Sequence, residues 1–242
     1  MRLSKYALLG AATIAVFCGW FGYWAFQRAE VLGGGERVAA ALRAQGWEAL
    51  VRDEGVRGFP NRLDTSLADL RVSPPNRAWT WSGDLLRARM LSYRTDHLVL
   101  EWPARQEFAA GGERWAVSAR PMLSSLVFED GRLARLSWDA PQLRLRNGET
   151  EIAIDRAELH LRPIEGAPPE DGRFAFYFGL EGVFGADLPR SARIAGEIAL
   201  PGGIGIDGAL PDRVRLFRVD QGDEALATRL LSLFGLEPAQ RQ

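Results

Sequence analysis

Residues 174–180 read "FAFYFGL", with Phe174, Phe176, Phe178 and Leu180 at every second position and Ala175, Tyr177 and Gly179 between them. A period of two belongs to an extended strand whose successive side chains point to opposite faces. One of the two faces is strongly aromatic. The same period recurs on either side. Ile194, Gly196, Ile198 and Leu200 alternate with Ala195, Glu197 and Ala199, and Leu143 and Leu145 are interleaved with Gln142, Arg144 and Arg146. Between and around these runs stand Asp130-Gly131, Asn147-Gly148, Asp171-Gly172 and Asp207-Gly208. Such dipeptides supply the positive φ angles of tight hairpins, and tight hairpins join antiparallel neighbours. The fold expected over residues 47–222 is therefore mainly β: a long, twisted, bulged antiparallel sheet in meander order.

Two runs change phase. Ile152 and Ile154 are apolar at even positions, whereas Ala157, Leu159 and Leu161 are apolar at odd ones. One inserted residue near Asp155-Arg156 would keep all five on one face, so a bulge is expected there. Leu63, Thr65 and Leu67 give way to Leu70 and Val72, which predicts a second slip near Ala68-Asp69. Just ahead of that run, "GFPNR" (Gly58 to Arg62) sets Pro60 where a strand would need a backbone donor. Proline is confined to strand starts, bulges and edges. Pro60 is accordingly expected at the start or edge of a curved strand, with Gly58 in a conformation costly for other residues.

Towards the amino terminus the period of two is lost. Tyr6 to Phe26, "YALLGAATIAVFCGWFGYWAF", runs 21 residues without a charge. At about 1.5 Å per residue it reaches about 30 Å, the thickness of a hydrocarbon core. Trp20, Tyr23 and Trp24 gather at its far end as an interfacial belt would, and Arg2 and Lys5 precede it. That order favours a cytoplasmic amino terminus. A cleaved signal peptide would have an apolar core of only about 7–15 residues before a small-x-small site. This run is longer and ends in bulky aromatics. It reads as an uncleaved anchor, residues 1–28, crossing a bacterial inner membrane once and leaving the rest of the chain in the periplasm. Residues 29–46 follow as linker and short helix: Gly33-Gly34-Gly35 reads as a hinge, and "ERVAAALRAQ" from Glu36 to Gln45 is rich in helix formers and stops at Gly46. At the other end, Asp223 to Phe234 returns to helical spacing, with Asp223 as N-cap and Leu226, Leu230, Leu233 and Phe234 in one stripe. Residues 223–242 are expected to form a carboxy-terminal amphipathic helix and tail.

Composition narrows the chemistry. The chain has 242 residues, 47% hydrophobic and 25% charged, with a formal net charge of −1, so no nucleic-acid footprint is expected. His97 and His160 are the only histidines and lie far apart in sequence, which disfavours a metal centre. Cys18 is the single cysteine, so no internal disulfide forms, and Phe17 before it spoils a lipobox. Gly203 to Gly208, "GIGIDG", formally matches G-x-G-x-x-G but lacks the preceding strand and following helix of a dinucleotide site. It reads as a glycine-rich hairpin. No G-x-S-x-G, H-E-x-x-H or C-x-x-C occurs, and acidic pairs such as Glu129-Asp130 fall in turns. Neither a cofactor nor a catalytic site is expected. The rival is an enzyme that uses only Asp, Glu and Arg.

Gly58-Phe59-Pro60 with Arg62, and Gly46-Trp47 before them, resemble the Gly-aromatic-Pro-aromatic-Arg signature of an envelope-protein domain family of unknown function in alphaproteobacteria. Asn61 stands where that signature has its second aromatic. "DAPQLRLRNG", Asp139 to Gly148, is also similar to strand repeats of AsmA/TamB-like envelope proteins. The resemblance implies a single anchor, a long β domain and a location in the envelope, and implies no activity. Gly58, Phe59, Pro60 and Arg62 are then expected to be structural. The functional expectation rests on the aromatic face: Trp138, Phe174, Phe176 and Phe178 lining an apolar groove for a lipid or other hydrophobic ligand, or, alternatively, a scaffold that recruits another envelope protein.

Overall fold

Two helices precede an array of strands in a computed structural model of the chain, which describes residues 5–165, 172–185, 189–211 and 215–222. The helices are α1 (Lys5–Val31) and α2 (Gly34–Ala44). The strands are β1 (Glu48–Arg57), β2 (Arg62–Ser73), β3 (Trp79–Leu91), β4 (Arg94–Glu101), β5 (Gln106–Ala110), β6 (Glu113–Ser118), β7 (Leu123–Glu129), β8 (Arg132–Asn147), β9 (Thr150–Pro163), β10 (Arg173–Phe184), β11 (Ser191–Ala199) and β12 (Arg215–Gln221). The carboxy-terminal helix expected over residues 223–234 lies outside the described residues.

All the strands belong to one antiparallel sheet. Strand β3 pairs with β5 along its first half and with β4 along its second. Strand β8 does the same with β7 and β6. In effect β4 and β5 are one long strand interrupted at residues 102–105, and β6 and β7 are another interrupted at 119–122. Every ladder then joins strands adjacent in sequence, as the expected meander requires. Asp130 and Gly131, at φ 49° and 75°, turn β7 into β8, and Gly111 and Gly112 turn β5 into β6.

Asp207-Gly208 makes the expected tight turn, with Gly208 at φ 94°, Gly208 N–H donating to Gly205 O at 3.1 Å and Gly205 N–H to Ala209 O at 2.8 Å, but no strand pair flanks it. Residues 200–210 run back from β11 to the start of β8, where Leu133 N–H donates to Ile204 O at 2.8 Å and Ile206 N–H to Gly131 O at 2.9 Å. The reason is apolar: Ile204 packs on the cluster of Leu161, Phe174 and Leu200. The segment is a strap tied to the sheet by both backbone and side chain.

The slip near Ala68-Asp69 is present. The β1–β2 register shifts between Leu50 and Arg52, and Asp69 has φ 53°. At Asp155-Arg156, however, the structure corrects the sequence reading. No residue is inserted, because the β8–β9 and β9–β10 registers run unbroken past this point. Instead all three strands turn over together. Gln142 on β8 has φ 52° and Gly182 on β10 has φ 62°. The residues flanking the turnover are buried on each strand: Ala140 and Leu143, Ile154 and Ala157, Leu180 and Val183. These six form one cluster with Ala119 and Met122 from the β6–β7 interruption. Followed sideways, the same level passes through Asp69, the handover of β3 between Gly83 and Arg87, and both strand interruptions. A single crease crosses the sheet, and the main core lies along it.

Helix α2 lies against β1. Its amino end has no side-chain cap of its own. Asp53 of β1 supplies one, accepting from Glu36 N–H at 3.4 Å. Gln45, at its other end, donates to Gly208 O at 3.0 Å and accepts from Leu210 N–H at 3.0 Å. The first strand and the strap after β11 are thus joined through α2.

Candidate functional site: an apolar sheet face and the seat of the anchor helix

Register brings the expected aromatic positions to one face. Trp138 stands opposite Leu159, Leu159 opposite Phe178, and Phe178 opposite Ile194. In the next row Leu136, Leu161 and Phe176 are aligned, ending at Gly196. A Cβ on Gly196 would come within 3.0 Å of the Phe176 ring and 2.1 Å of Arg218 O, so glycine makes the room that the ring occupies. Phe174 completes a third row and is buried at 4% exposure. Trp138, Phe176 and Phe178 are only half-buried. Phe174 and Phe176 pack on the cluster under Ile204, whereas Trp138 and Phe178 pack on the crease cluster. The four residues therefore bridge two cores, with the strap at one end and the crease at the other. Among the described residues no helix packs on these strands.

The opposite face of the same strands is charged. Arg156 Nε reaches Asp139 at 2.7 Å, and that hydrogen bond, then the charge itself, raises the guanidinium above its ordinary pKa. His160 lies 3.3 Å from Glu158 and against the Tyr177 ring. One side is built for water and the other for apolar contact. No group of three or more His, Cys, Asp and Glu among the described residues could hold a metal ion.

The opening signature has a different partner. Pro60 is neither in a strand nor at its start: β1 ends at Arg57 and β2 begins at Arg62, and the proline lies in the turn between. That turn seats α1. Phe59 meets Phe17, Phe21 and Trp24 edge-on, at 5.7, 5.6 and 5.5 Å between ring centroids. Trp20 Nε1 donates to Pro60 O at 2.7 Å and Trp24 Nε1 to Arg62 O at 2.8 Å. On the neighbouring β3–β4 turn, Tyr23 Oη and Gln27 Nε2 both donate to Ser92 O, at 2.9 and 3.1 Å. Trp24 is buried with Val56 and Leu63. The aromatic belt is thus not free at an interface; its polar atoms are spent on the sheet. Gly58, at φ 110°, has no space for a side chain, since a Cβ would lie 2.9 Å from Arg62 Cβ and O. Arg62 itself pairs with Asp64 at 2.7 Å.

Sequence reasoning missed these contacts because the hydrogen-bond partners lie from 38 to 69 residues apart, in chain regions read separately. It also missed Leu136, Ile194 and Ile204 as members of the apolar face. For Ile204 the signal was available: an isoleucine set between Gly203 and Gly205 in a glycine-rich segment.

Among the described residues, one apolar amino-terminal helix, long enough to cross a membrane, is seated on a long antiparallel meander, which defines a mainly β protein with an apolar amino-terminal helix. The chain belongs to the family of uncharacterized proteins conserved in bacteria designated DUF2125, whose model matches residues 24–238. The match takes in Trp24, the signature turn and the sheet. No curated protein and no solved structure matches the chain.

Proposed function

We propose that this protein is a non-catalytic module held by α1 in the bacterial inner membrane, amino terminus inside, with its β domain in the periplasm, where it takes a lipid or similar hydrophobic ligand on the β8–β11 face. One observation carries the ligand: Trp138, Phe176 and Phe178 are aligned with Leu136 and Leu159 on a face that stays partly accessible between strap and crease. A contiguous apolar patch open to solvent commonly marks a binding surface. Arg2 and Lys5 before the apolar run support the orientation. The resemblance of residues 139–148 to AsmA/TamB-like strands supports an envelope role.

The test is Phe176→Glu in the full chain, read by thermal midpoint and by mass spectrometry of bound lipid. A buried, unpaired carboxylate costs several kcal/mol, so a sealed core would unfold. A face open to ligand and water keeps the carboxylate hydrated, and the expected result is a folded protein that has lost its lipid. Collapse of the fold, or equal lipid content in both proteins, overturns the reading. A protein free of lipid in both forms but retaining a stable protein partner turns it into the scaffold.

A further inference from the structure

The length of the apolar run and the place where the sheet grips it do not fit a domain standing clear of the membrane. A span needs about 20 residues. From Tyr6 to Phe17 there are only twelve residues, which rise about 18 Å. Beyond Phe17 the helix is already in contact with the sheet, through Phe59 on Phe17 and Phe21 and through Trp20 on Pro60. If the helix crosses a bilayer, the residues from Phe17 to about Trp24 must lie inside it, and whatever is fixed to them lies there too. We infer that the β1–β2 and β3–β4 turns are inserted into the outer leaflet beside α1, so that the sheet is embedded by its tips as well as tethered by its helix. This rests on the reading of α1 as a membrane anchor.

The chemistry of the tips suits that medium. Lipid supplies no hydrogen bonds, so non-helical backbone at membrane depth must find partners within the protein. Pro60 has no N–H to satisfy. Pro60 O and Arg62 O accept from Trp20 and Trp24, and Ser92 O accepts from Tyr23 and Gln27. Arg62 N–H donates to Gly58 O at 2.9 Å and Ser92 N–H to Asn61 O at 3.0 Å. The large apolar side chains left bare around these turns are Phe59, Leu91 and Tyr93, at 38%, 36% and 58% exposure, while Asn61 is exposed beside them and Arg94, at the start of β4, pairs with Asp96 at 3.7 Å. The Phe59 surface is continuous with that of Phe17 and Phe21, themselves 58% and 50% exposed. The charged pair Arg62–Asp64 sits one strand position behind the turn, at headgroup level, where a guanidinium can reach water. The occupant of this surface is the bilayer itself, at the junction of acyl chains and headgroups.

The experiment uses the full chain in vesicles of phosphatidylcholine and phosphatidylglycerol. Cys18 is replaced by alanine, and single cysteines at Val16, Tyr93 and Arg114 carry a nitroxide label. Collision with oxygen, which concentrates in lipid, is compared with collision with a water-soluble nickel chelate. Tyr93 and Val16 are both exposed and their replacement disturbs no packing. The expected result is oxygen collision dominating at Val16 and Tyr93 and nickel collision dominating at Arg114, on the β6 strand. Lipid-like values at Val16 with water-like values at Tyr93 overturn the inserted tips and leave the anchor standing. Water-like values at Val16 overturn the anchor, and the inference with it.

Discussion

Gly58 shows what a single residue can disclose. Its position ahead of a proline announces an unusual conformation, and φ is 110°, with Arg62 occupying the space a Cβ would need. Gly58→Val is expected to destabilise the domain by about 1–3 kcal/mol. A thermal midpoint within error of the parent protein would show the turn to be tolerant. Phe59, one residue on, was not legible in the same way. Its identity as an aromatic is plain from the sequence, but its partners Phe17, Phe21 and Trp24 are on a helix whose composition speaks only of lipid. Phe59→Ala is expected to remove three edge-on ring contacts, each worth about 0.5–1.5 kcal/mol. The loss should appear as a lower thermal midpoint of the full chain. An unchanged midpoint would mean that the seat holds without the ring.

Among the elements, α2 reverses an ordinary rule. Glycine inside a helix costs roughly 1 kcal/mol relative to alanine, which is why the triplet Gly33-Gly34-Gly35 suggests a hinge. In the structure Gly33, at φ 72°, is the corner between α1 and α2, while Gly34 and Gly35 are already in the second helix. A Cβ on Gly34 would meet only Arg37 Nη2 at 3.8 Å, whereas one on Gly35 would lie 2.5 Å from both Asp53 Oδ1 and Leu67 Cδ2. Gly34→Ala should therefore stabilise by up to about 1 kcal/mol. Gly35→Ala should destabilise by about 1–3 kcal/mol, because it pushes away the carboxylate that caps the helix. Two midpoints moving in the same direction would refute this account. The existence of α2 follows from helix propensity. Its capping by a strand residue, seventeen positions later, does not.

At the scale of the molecule, alternation and turn dipeptides reveal the meander, because neighbouring strands in sequence are neighbours in space. The crease is only half legible. The phase change in Ile152, Ile154, Ala157 and Leu159 is visible in one strand, and a lone strand suggests a bulge. Only the ladders reveal that β8 and β10 turn over at the same level, through positive φ at Gln142 and Gly182. Small residues make the crease close: Ala140 is 0% and Ala157 1% exposed. Ala157→Leu is expected to cost about 1–3 kcal/mol by overpacking, lowering the midpoint by roughly 2–4 °C per kcal/mol for a domain of this size. A midpoint unchanged or raised would mean that the crease holds unused volume.

The meander also sets an order of assembly. Each strand finds its partner in the one just made, so the entropy of closing a loop is small at every step until the last. A chain delivered amino terminus first can add hairpin after hairpin to the growing sheet without waiting for distant residues. The longest exception is the clasp of Gln45 on Gly208 and Leu210, which spans 163 and 165 positions. It can close only when nearly the whole domain has emerged, so the tie between α2 and the strap cannot form before residues 208–210 have been made.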